Sequence, residues 1–209
     1  MGGEAMAQSR LTGLILAGGK STRFGSDKAS ADLGGRPLLQ WVAAALADVC
    51  DEIVIVRATG QVLPAIDVAT PTTVVDDLWE AKGPLAGLAS GLPAVKTEYC
   101  FATSCDAPLL QPATVRYLAR RAGGHDIVCV DVGGYRNPLV SVYRPAACAA
   151  PFRRAVERDV LKITAAFDGL DLLVVREDEI RAVDPELLSF RNANRPEALA
   201  EIEAFVRAR

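Results

Sequence analysis

Short apolar runs alternate with apolar residues at helical spacing along most of the chain. Continuous apolar runs bounded by turn residues predict buried strands, and a period of 3.6 residues predicts helices. This alternation favours an α/β sandwich around a largely parallel sheet. The predicted strands are residues 11–17, 53–56, 73–75, 99–103, 127–132, 139–143 and 172–175. The predicted helices are residues 37–49, 85–95, 111–121, 146–158 and 196–207, with a further helical segment at 160–167.

One pair of predicted strands is joined too tightly to be parallel. A short link containing Gly133-Gly134 separates residues 127–132 from residues 139–143, and such a link predicts a hairpin. The sheet is therefore expected to be mixed, with at least one antiparallel pair. The first four strands are nearly continuous apolar runs, which is expected when helices cover both faces of a sheet.

The composition is that of a globular protein and limits its function. Half of the 209 residues are apolar and 23% are charged, which suits one domain over residues 11–209. Residues 1–10 are polar, lack the apolar stretch of a signal peptide, and are expected to form a flexible leader. The net charge of −3 argues against nucleic-acid binding. No apolar run reaches the ~18 residues that a membrane span needs.

The cysteines and the histidine suggest no site of their own. The five cysteines are odd in number and form no C-x-x-C pair, which argues against a disulfide framework and a zinc site. Most of them lie in apolar runs, as buried free thiols do, and this favours a reducing, cytoplasmic setting. His125 has no acid–base partner in view and is expected to be structural.

The segment 16–28 (LAGGKSTRFGSDK) is the most informative part of the chain. It is not a P-loop, because the leading glycine of that motif would fall on Leu14, inside the predicted strand. It lacks the G-x-G-x-x-G spacing of dinucleotide-binding enzymes, which argues against a nicotinamide oxidoreductase.

A third kind of phosphate loop fits this segment. Gly18-Gly19 directly after a buried strand lets backbone N–H groups approach a polyphosphate without side-chain obstruction. Lys20, Arg23 and Lys28 follow in the same polar loop. Such cations can neutralise a triphosphate and the charge that develops on departing pyrophosphate.

These residues resemble a known family, the nucleotidyltransferases that include molybdenum cofactor guanylyltransferase. The loop resembles the family's L-A-G-G-x-S-x-R-[MF]-G-x-D-K signature, and three further stretches match in order and spacing over nearly the whole chain. They are residues 83–87 (GPLAG), 105–108 (CDAP) and 190–197 (FRNANRPE).

The resemblance implies a reaction and a fold. The terminal phosphate of molybdopterin, or of its molybdenum-bound form, would attack the α-phosphorus of GTP and give the guanine dinucleotide cofactor and pyrophosphate. It also implies Mg²⁺ and a Rossmann-like nucleotidyltransferase fold: a three-layer α/β sandwich with a mainly parallel, mixed central sheet. Contact with other cofactor-biosynthesis proteins is left open.

Asp106 is the predicted metal ligand. It follows a buried strand, at the carboxyl end where open α/β sheets bind ligands, and Mg²⁺ prefers a few carboxylates plus substrate phosphates. Lys28 and Arg23 are expected to hold the phosphates and to stabilise charge in the transition state. Cys105 is expected to fill space, because in-line phosphoryl chemistry needs no covalent step. The predicted backbone contacts to the nucleotide come from Leu16, Ala17, Gly18 and Gly19.

The predicted nucleoside-binding residues depart from the family pattern. The resemblance places Asp77 near the base or ribose, with Asp76 as the alternative. The family often has an Asn after the second strand, which is absent here, and Thr59 or Gln61 are the candidates to replace it. The resemblance implies GTP as the nucleotide substrate, with CTP as the alternative.

The predicted acceptor-binding residues lie in the loop before the last predicted helix. Asn192 and Asn194 either orient phosphate or pterin, or Asn194 caps the helix that starts near Pro196. Arg195 stands where the family usually has Thr. Arg136 and Asn137 are weaker candidates for the acceptor. The competing functions are a molybdopterin cytidylyltransferase, a nucleotidyltransferase for another phosphorylated small molecule, and a nucleotide-binding regulator without catalysis.

Overall fold

A computed structural model describes residues 10–18, 27–79 and 81–208 of the chain. The predicted flexible leader lies outside these residues except for Arg10. Three predicted loop residues also lie outside them: Gly19, Lys20 and Arg23.

The centre of the fold is a seven-stranded sheet with the order β5-β4-β1-β6-β8-β7-β9. β8 pairs antiparallel with both β6 and β7, whereas every other pairing in this sheet is parallel. The prediction of a mainly parallel, mixed sheet is confirmed, and so is the hairpin at Gly133-Gly134. The strands are β1 Leu11–Leu16, β2 Asp32–Leu33, β3 Arg36–Pro37, β4 Glu52–Arg57, β5 Thr72–Asp76, β6 Tyr99–Ser104, β7 Ile127–Val132, β8 Tyr135–Tyr143 and β9 Leu172–Arg176.

Helices cover both faces of this sheet. One core cluster joins residues of α1 and α3 to one face, and a second joins residues of α2 and α4 to the other. β1 serves both clusters because its side chains alternate: Ile15 belongs to the first, and Leu14 and Leu16 to the second. The predicted three-layer sandwich is confirmed. The helices are α1 Leu38–Ala47, α2 Pro84–Gly91, α3 Pro112–Ala119, α4 Pro145–Glu157, α5 Glu177–Arg181 and α6 Pro196–Arg207.

Several local predictions differ from the structure. The third predicted strand, β5, is exposed rather than covered on both faces, because it lies at the sheet edge and β4 is its only partner among the described strands. The helix predicted over 85–95 ends at Gly91 and continues as a 3-10 turn, Leu92–Ala94, where Pro93 has no N–H to donate. The segment 160–167 contains only a 3-10 turn, Ile163–Phe167. The β2–β3 hairpin and α5 were not predicted.

The register of the parallel strands brings their carboxyl ends to one edge of the sheet. Leu16 at the end of β1 pairs with Val56 of β4 and Ser104 of β6, and Arg57 pairs with Asp76 of β5. The segments that follow these strands therefore meet at the same edge. Within the described ranges, no helix is long and apolar enough to cross a membrane.

A small third core cluster brings the C-terminal segment to this edge as well. It joins Leu33 and Leu38, around the β2–β3 hairpin, to Leu109, Ala193 and Ile202. The loop before α6 is thereby packed beside the segment that follows β6.

Candidate active site

A cavity of about 390 Å³ lies at this edge of the sheet. Most of the predicted site residues that the structure describes line it, although they come from distant parts of the sequence. Gly19, Lys20 and Arg23 lie outside the described residues. The predicted residues in the lining are Leu16, Ala17, Gly18, Lys28, Thr59, Asp77, Asp106, Asn192 and Asn194.

Lys28 and Asp106 face each other in this cavity. Lys28 Nζ donates to Asp106 Oδ2 at 3.0 Å, and the side chains are 25% and 15% exposed. The other carboxylate oxygen, Oδ1, accepts from the hydroxyl of Ser104, the last residue of β6. A turn closed by Ala107 N donating to Ser104 O at 3.3 Å carries Asp106 past the strand end. Asp106 is thus held from both of its oxygens and still lines the cavity.

Gly18 allows two loops to approach closely. The N–H groups of Ala17 and Gly18 both donate to Val56 O, at 2.8 and 3.1 Å. A Cβ atom at Gly18 would lie 2.8 Å from the backbone nitrogen of Ala58, so glycine is required for packing against the segment after β4. These two N–H groups are therefore bonded within the fold, and Gly19, the next predicted backbone contact, lies outside the described residues.

The structure separates the two adjacent aspartates after β5. Asp77 lines the cavity, and its Oδ1 accepts from Trp79 N at 3.1 Å and from Ser90 Oγ at 2.9 Å. Asp76 instead accepts from Arg57 Nε at 2.7 Å and is not among the described lining residues. The geometry therefore favours Asp77 over Asp76 as the residue that meets a ligand.

The loop before α6 is attached to Asp106 by its backbone. Ala193 is buried and its N–H donates to Asp106 O at 2.7 Å, and its sequence neighbours Asn192 and Asn194 both line the cavity. The alternative role for Asn194 was wrong: the N-cap of α6 is Arg195, which makes no side-chain capping bond. Arg195 is not among the described lining residues.

The weaker acceptor candidates do not reach this cavity. Asn137 Nδ2 donates to Tyr135 O at 2.8 Å near the hairpin, and neither Asn137 nor Arg136 is among the described lining residues. Leu139 does line the cavity. It lies within a register shift between β7 and β8, in the stretch between Asn137, which pairs with Val130, and Ser141, which pairs with Cys129. The apolar pattern does not reveal this irregularity.

His125 has a partner that was not predicted. Its Nδ1 lies 3.1 Å from Asp171 Oδ2, so the expectation of no acid–base partner was wrong. Both residues precede parallel strands, β7 and β9, and therefore lie at the opposite edge of the sheet from the cavity. The pair has no place in the candidate site.

The cysteines are buried and unpaired. Burial, with smaller contributions from the charges of Asp106 and Asp27, raises the pKa of Cys105 to about 12. A thiol with such a pKa is almost entirely protonated at neutral pH and is a poor nucleophile. This agrees with the space-filling role expected for Cys105.

The donor set around Asp106 suits a metal ion only when a nucleotide is present. Among the described residues, no group of three or more His, Cys, Asp or Glu side chains could hold a metal ion. Mg²⁺ is typically bound by one or two carboxylates together with waters and substrate phosphates. Asp106 lines the cavity, and its carboxylate is of the kind that could serve such an ion.

Comparison with known proteins agrees with this geometry. A curated relative, the molybdenum cofactor guanylyltransferase of Desulfosudis oleivorans, is 34% identical over 200 residues, which cover 95% of this chain and 96% of the relative. The sequence profile of the family described as "MobA-like NTP transferase domain" matches residues 13–170.

The chain belongs to this MobA-like family. It is therefore a nucleotidyltransferase, and enzymes of this family typically depend on a divalent metal ion.

Solved structures confirm the fold of this MobA-like chain. Molybdopterin-guanine dinucleotide biosynthesis protein A from Archaeoglobus fulgidus superposes with a TM-score of 0.78 at 22% identity, covering 95% of this chain and 100% of that one. The 2-C-methyl-D-erythritol 4-phosphate cytidylyltransferase from Thermus thermophilus superposes with a TM-score of 0.68 at 19% identity, covering 95% and 99%. At these identities both structures show the fold alone.

Proposed function

We propose that this protein transfers GMP from GTP to the terminal phosphate of molybdopterin or of its molybdenum-bound form. An oxygen of the acceptor phosphate bonds to the α-phosphorus, the bond from that phosphorus to the α–β bridging oxygen breaks, and pyrophosphate leaves. The observation that carries this proposal is the cavity in which Lys28 faces Asp106 at 3.0 Å. The relative from Desulfosudis oleivorans, whose match covers 95% of this chain and which is named molybdenum cofactor guanylyltransferase, supports the choice of substrates.

Lys28 is assigned to the triphosphate. The Lys28 side chain is three-quarters buried and its ammonium group contacts the Asp106 carboxylate, and a partly desolvated cation interacts more strongly with phosphate than an exposed one. When a triphosphate enters, Lys28 Nζ exchanges some of its contact with Asp106 for phosphate oxygens. It then stabilises the charge that grows on the departing pyrophosphate. Arg23, in the same loop by sequence, is assigned to the phosphates as well.

Asp106 is assigned to the metal ion. Mg²⁺ bound there with the nucleotide's phosphates would neutralise phosphate charge and so favour attack by a second anion. The Ser104 hydroxyl holds one oxygen of Asp106 in place. The backbone bond from Ala193 to Asp106 O keeps the acceptor loop beside the same residue.

Asp77 is assigned to the base. Ser90 and the Trp79 amide hold its Oδ1, and within the described part of the chain no hydrogen bond is made to its Oδ2. A carboxylate only accepts hydrogen bonds. Guanine presents two adjacent donors, its N1–H and its 2-amino group, whereas cytosine and adenine present a single amino donor beside an acceptor. Asp77 therefore favours GTP.

The acceptor is assigned to the side of the cavity formed by Asn192 and Asn194. Their amide groups can donate to a phosphate and also bond the polar edge of a pterin. The bond from Ala193 N to Asp106 O supports an acceptor bound beside Asp106.

Pyrophosphate release in the presence of molybdopterin tests the proposal. The purified protein is given GTP, CTP, ATP or UTP, each with and without Mg²⁺ and each with and without molybdopterin. We expect release only with GTP, Mg²⁺ and molybdopterin together. Preferential release with CTP would instead identify a cytidylyltransferase, and release that does not require molybdopterin would point to another acceptor.

A further inference from the structure

Gln61 joins three segments at the edge of the active site. It follows β4, and its side-chain Oε1 accepts from Ala58 N at 2.8 Å. Its Nε2 donates to Ala17 O at 3.1 Å and to Asp27 Oδ2 at 2.8 Å. One half-buried carboxamide therefore connects the segments after β1 and β4 to the residue that precedes Lys28.

The orientation of this carboxamide follows from its partners. Oε1 faces a backbone N–H, which only donates, and Nε2 faces a carbonyl and a carboxylate, which only accept. The reversed orientation would oppose like groups at all three contacts. Both ends of the side chain are thus used within the protein, and Gln61 is not among the described residues that line the cavity.

Asp27 transmits this connection to Lys28. Its Oδ1 accepts from Ala29 N at 3.1 Å and caps the 3-10 turn Lys28–Ser30, while its Oδ2 receives the bond from Gln61. Asp27 is therefore fixed through both carboxylate oxygens. Lys28 is the next residue, and its Nζ reaches Asp106.

We propose that Gln61 is a positioning residue for Lys28. It holds the Asp27 turn against the ends of β1 and β4, and this sets where the Lys28 ammonium lies relative to Asp106 and the triphosphate. The proposal rests on the function proposed above for Lys28. It also gives Gln61 a different role from that of the family's Asn after the second strand, because Gln61 acts through Asp27 rather than on the nucleoside.

The chemistry of the pocket around Gln61 requires a carboxamide. A glutamate at this position would place a negative oxygen beside Asp27 and the Ala17 carbonyl, both of which need a donor. A methionine has a similar length and would keep the volume but would make none of the three hydrogen bonds. Buried acceptors that lose their donor cost free energy, so the Asp27 turn is expected to shift towards water.

Gln40 provides a matched control. Its side chain also bridges a loop in two directions: Oε1 accepts from Asp67 N at 2.7 Å and Nε2 donates to Asp67 O at 3.0 Å. It is half-buried like Gln61, and it is not among the described residues that line the cavity. Gln40→Met therefore measures how the loss of such a pair of side-chain hydrogen bonds affects the stability of the fold alone.

Crystal structures of the unliganded wild type, Gln61→Met and Gln40→Met test the positioning directly. We expect the contact between Lys28 Nζ and Asp106 Oδ2 to persist in the wild type and in Gln40→Met and to be lost in Gln61→Met. An unchanged contact in Gln61→Met would overturn the proposal. This readout needs no substrate, so it is independent of whether GTP and molybdopterin are the true substrates.

Kinetics and a double variant give the second test. We expect both methionine variants to lower Tm, but only Gln61→Met to lower kcat, by roughly ten- to a hundredfold, as misplacement of a catalytic group by about 1 Å does. In Gln61→Glu with Asp27→Asn the donor and the acceptor are exchanged at the contact between these two residues, so kcat should recover in part relative to Gln61→Glu alone. Equal kcat in the two methionine variants, or no recovery in the double variant, would contradict the proposal.

Discussion

Lys28 Nζ donates to Asp106 Oδ2 at 3.0 Å although the two residues are 78 positions apart in the sequence. They meet because β1 and β6 are adjacent parallel strands, so the segments after them emerge at the same edge of the sheet. A cation and a carboxylate in contact at this edge form a site that can hold a triphosphate and its metal ion together.

Replacing Lys28 by methionine is expected to lower kcat by about 10²- to 10³-fold, the usual loss when one stabilising group of a transition state is removed. Lys96→Met, which removes an exposed lysine that is not among the described lining residues, should leave kcat within about twofold of wild type, since surface changes are usually small. Steady-state pyrophosphate release measures both. Similar kcat values for the two variants would remove Lys28 from the mechanism.

The aspartates after β5 should differ in their effect on base selection. Asp77→Asn is expected to lower kcat/KM for GTP by about tenfold or more, because it replaces one accepting oxygen by an NH2 group, which cannot accept from the guanine donors. Asp76→Asn loses only a half-exposed ion pair with Arg57, worth about 0–1 kcal/mol, and should keep GTP selectivity. The ratio of kcat/KM for GTP to kcat/KM for CTP, measured for both variants, shows which aspartate selects the base. A loss of selectivity in Asp76→Asn alone would reverse the assignment.

Gly18→Ala should destabilise the fold. The new Cβ would lie 2.8 Å from the backbone nitrogen of Ala58, and relieving such a clash costs about 1–3 kcal/mol. Gly123→Ala is the control, since a Cβ there meets no atom within 4 Å. Urea denaturation gives the free energy of unfolding for each variant. Equal values would mean that the loop accommodates a side chain without cost.

The buried thiols should make stability fall at alkaline pH. Burial raises the pKa of Cys50, Cys105 and Cys148 to about 12 from an ordinary value of 9.0. The unfolded chain therefore loses these protons first as the pH rises above about 9, which favours the unfolded state. Their contribution to stability is complete below that pH and is lost towards pH 12.

Alkylation and denaturation check the thiols. The free energy of unfolding should decrease between pH 8 and pH 10 (values chosen to bracket about 9, the ordinary thiol pKa), and iodoacetamide should react slowly with the folded protein while leaving its activity intact. In urea the same thiols should react readily. Rapid loss of activity on alkylation of the folded protein would show that one of the thiols is accessible at the site.

Sequence patterns were sufficient for the sheet and for the residues of the main motifs. Lys28 follows the first predicted strand and its Gly18-Gly19 turn, and Asp106 follows the fourth predicted strand. When these two strands are parallel, both residues lie at the same edge of the sheet. The order of the strands is a property of long-range pairing, and no local pattern shows that β5 is an exposed edge. Strands of two residues, such as β2 and β3, are too short to have a period.

The side-chain hydrogen bonds could not be predicted from the sequence. Asp76 and Asp77 are chemically identical neighbours, and only their contacts to Arg57 and Ser90 distinguish them. The position of Gln61 after the second predicted strand suggests a nucleoside ligand, whereas its side chain bonds within the protein. Its three side-chain bonds bridge 44, 34 and 3 positions of sequence, and they depend on the folded arrangement of all three segments.

The central claim is that a GTP triphosphate lies between Lys28 and Asp106. A crystal structure with a non-hydrolysable GTP analogue and Mn²⁺, with the metal located by its anomalous signal, tests it most directly. The account predicts an anomalous peak in contact with the Asp106 carboxylate and with the phosphates, and Lys28 Nζ in contact with a phosphate oxygen. A nucleotide bound with its phosphates away from both side chains, or a metal peak remote from Asp106, would contradict it.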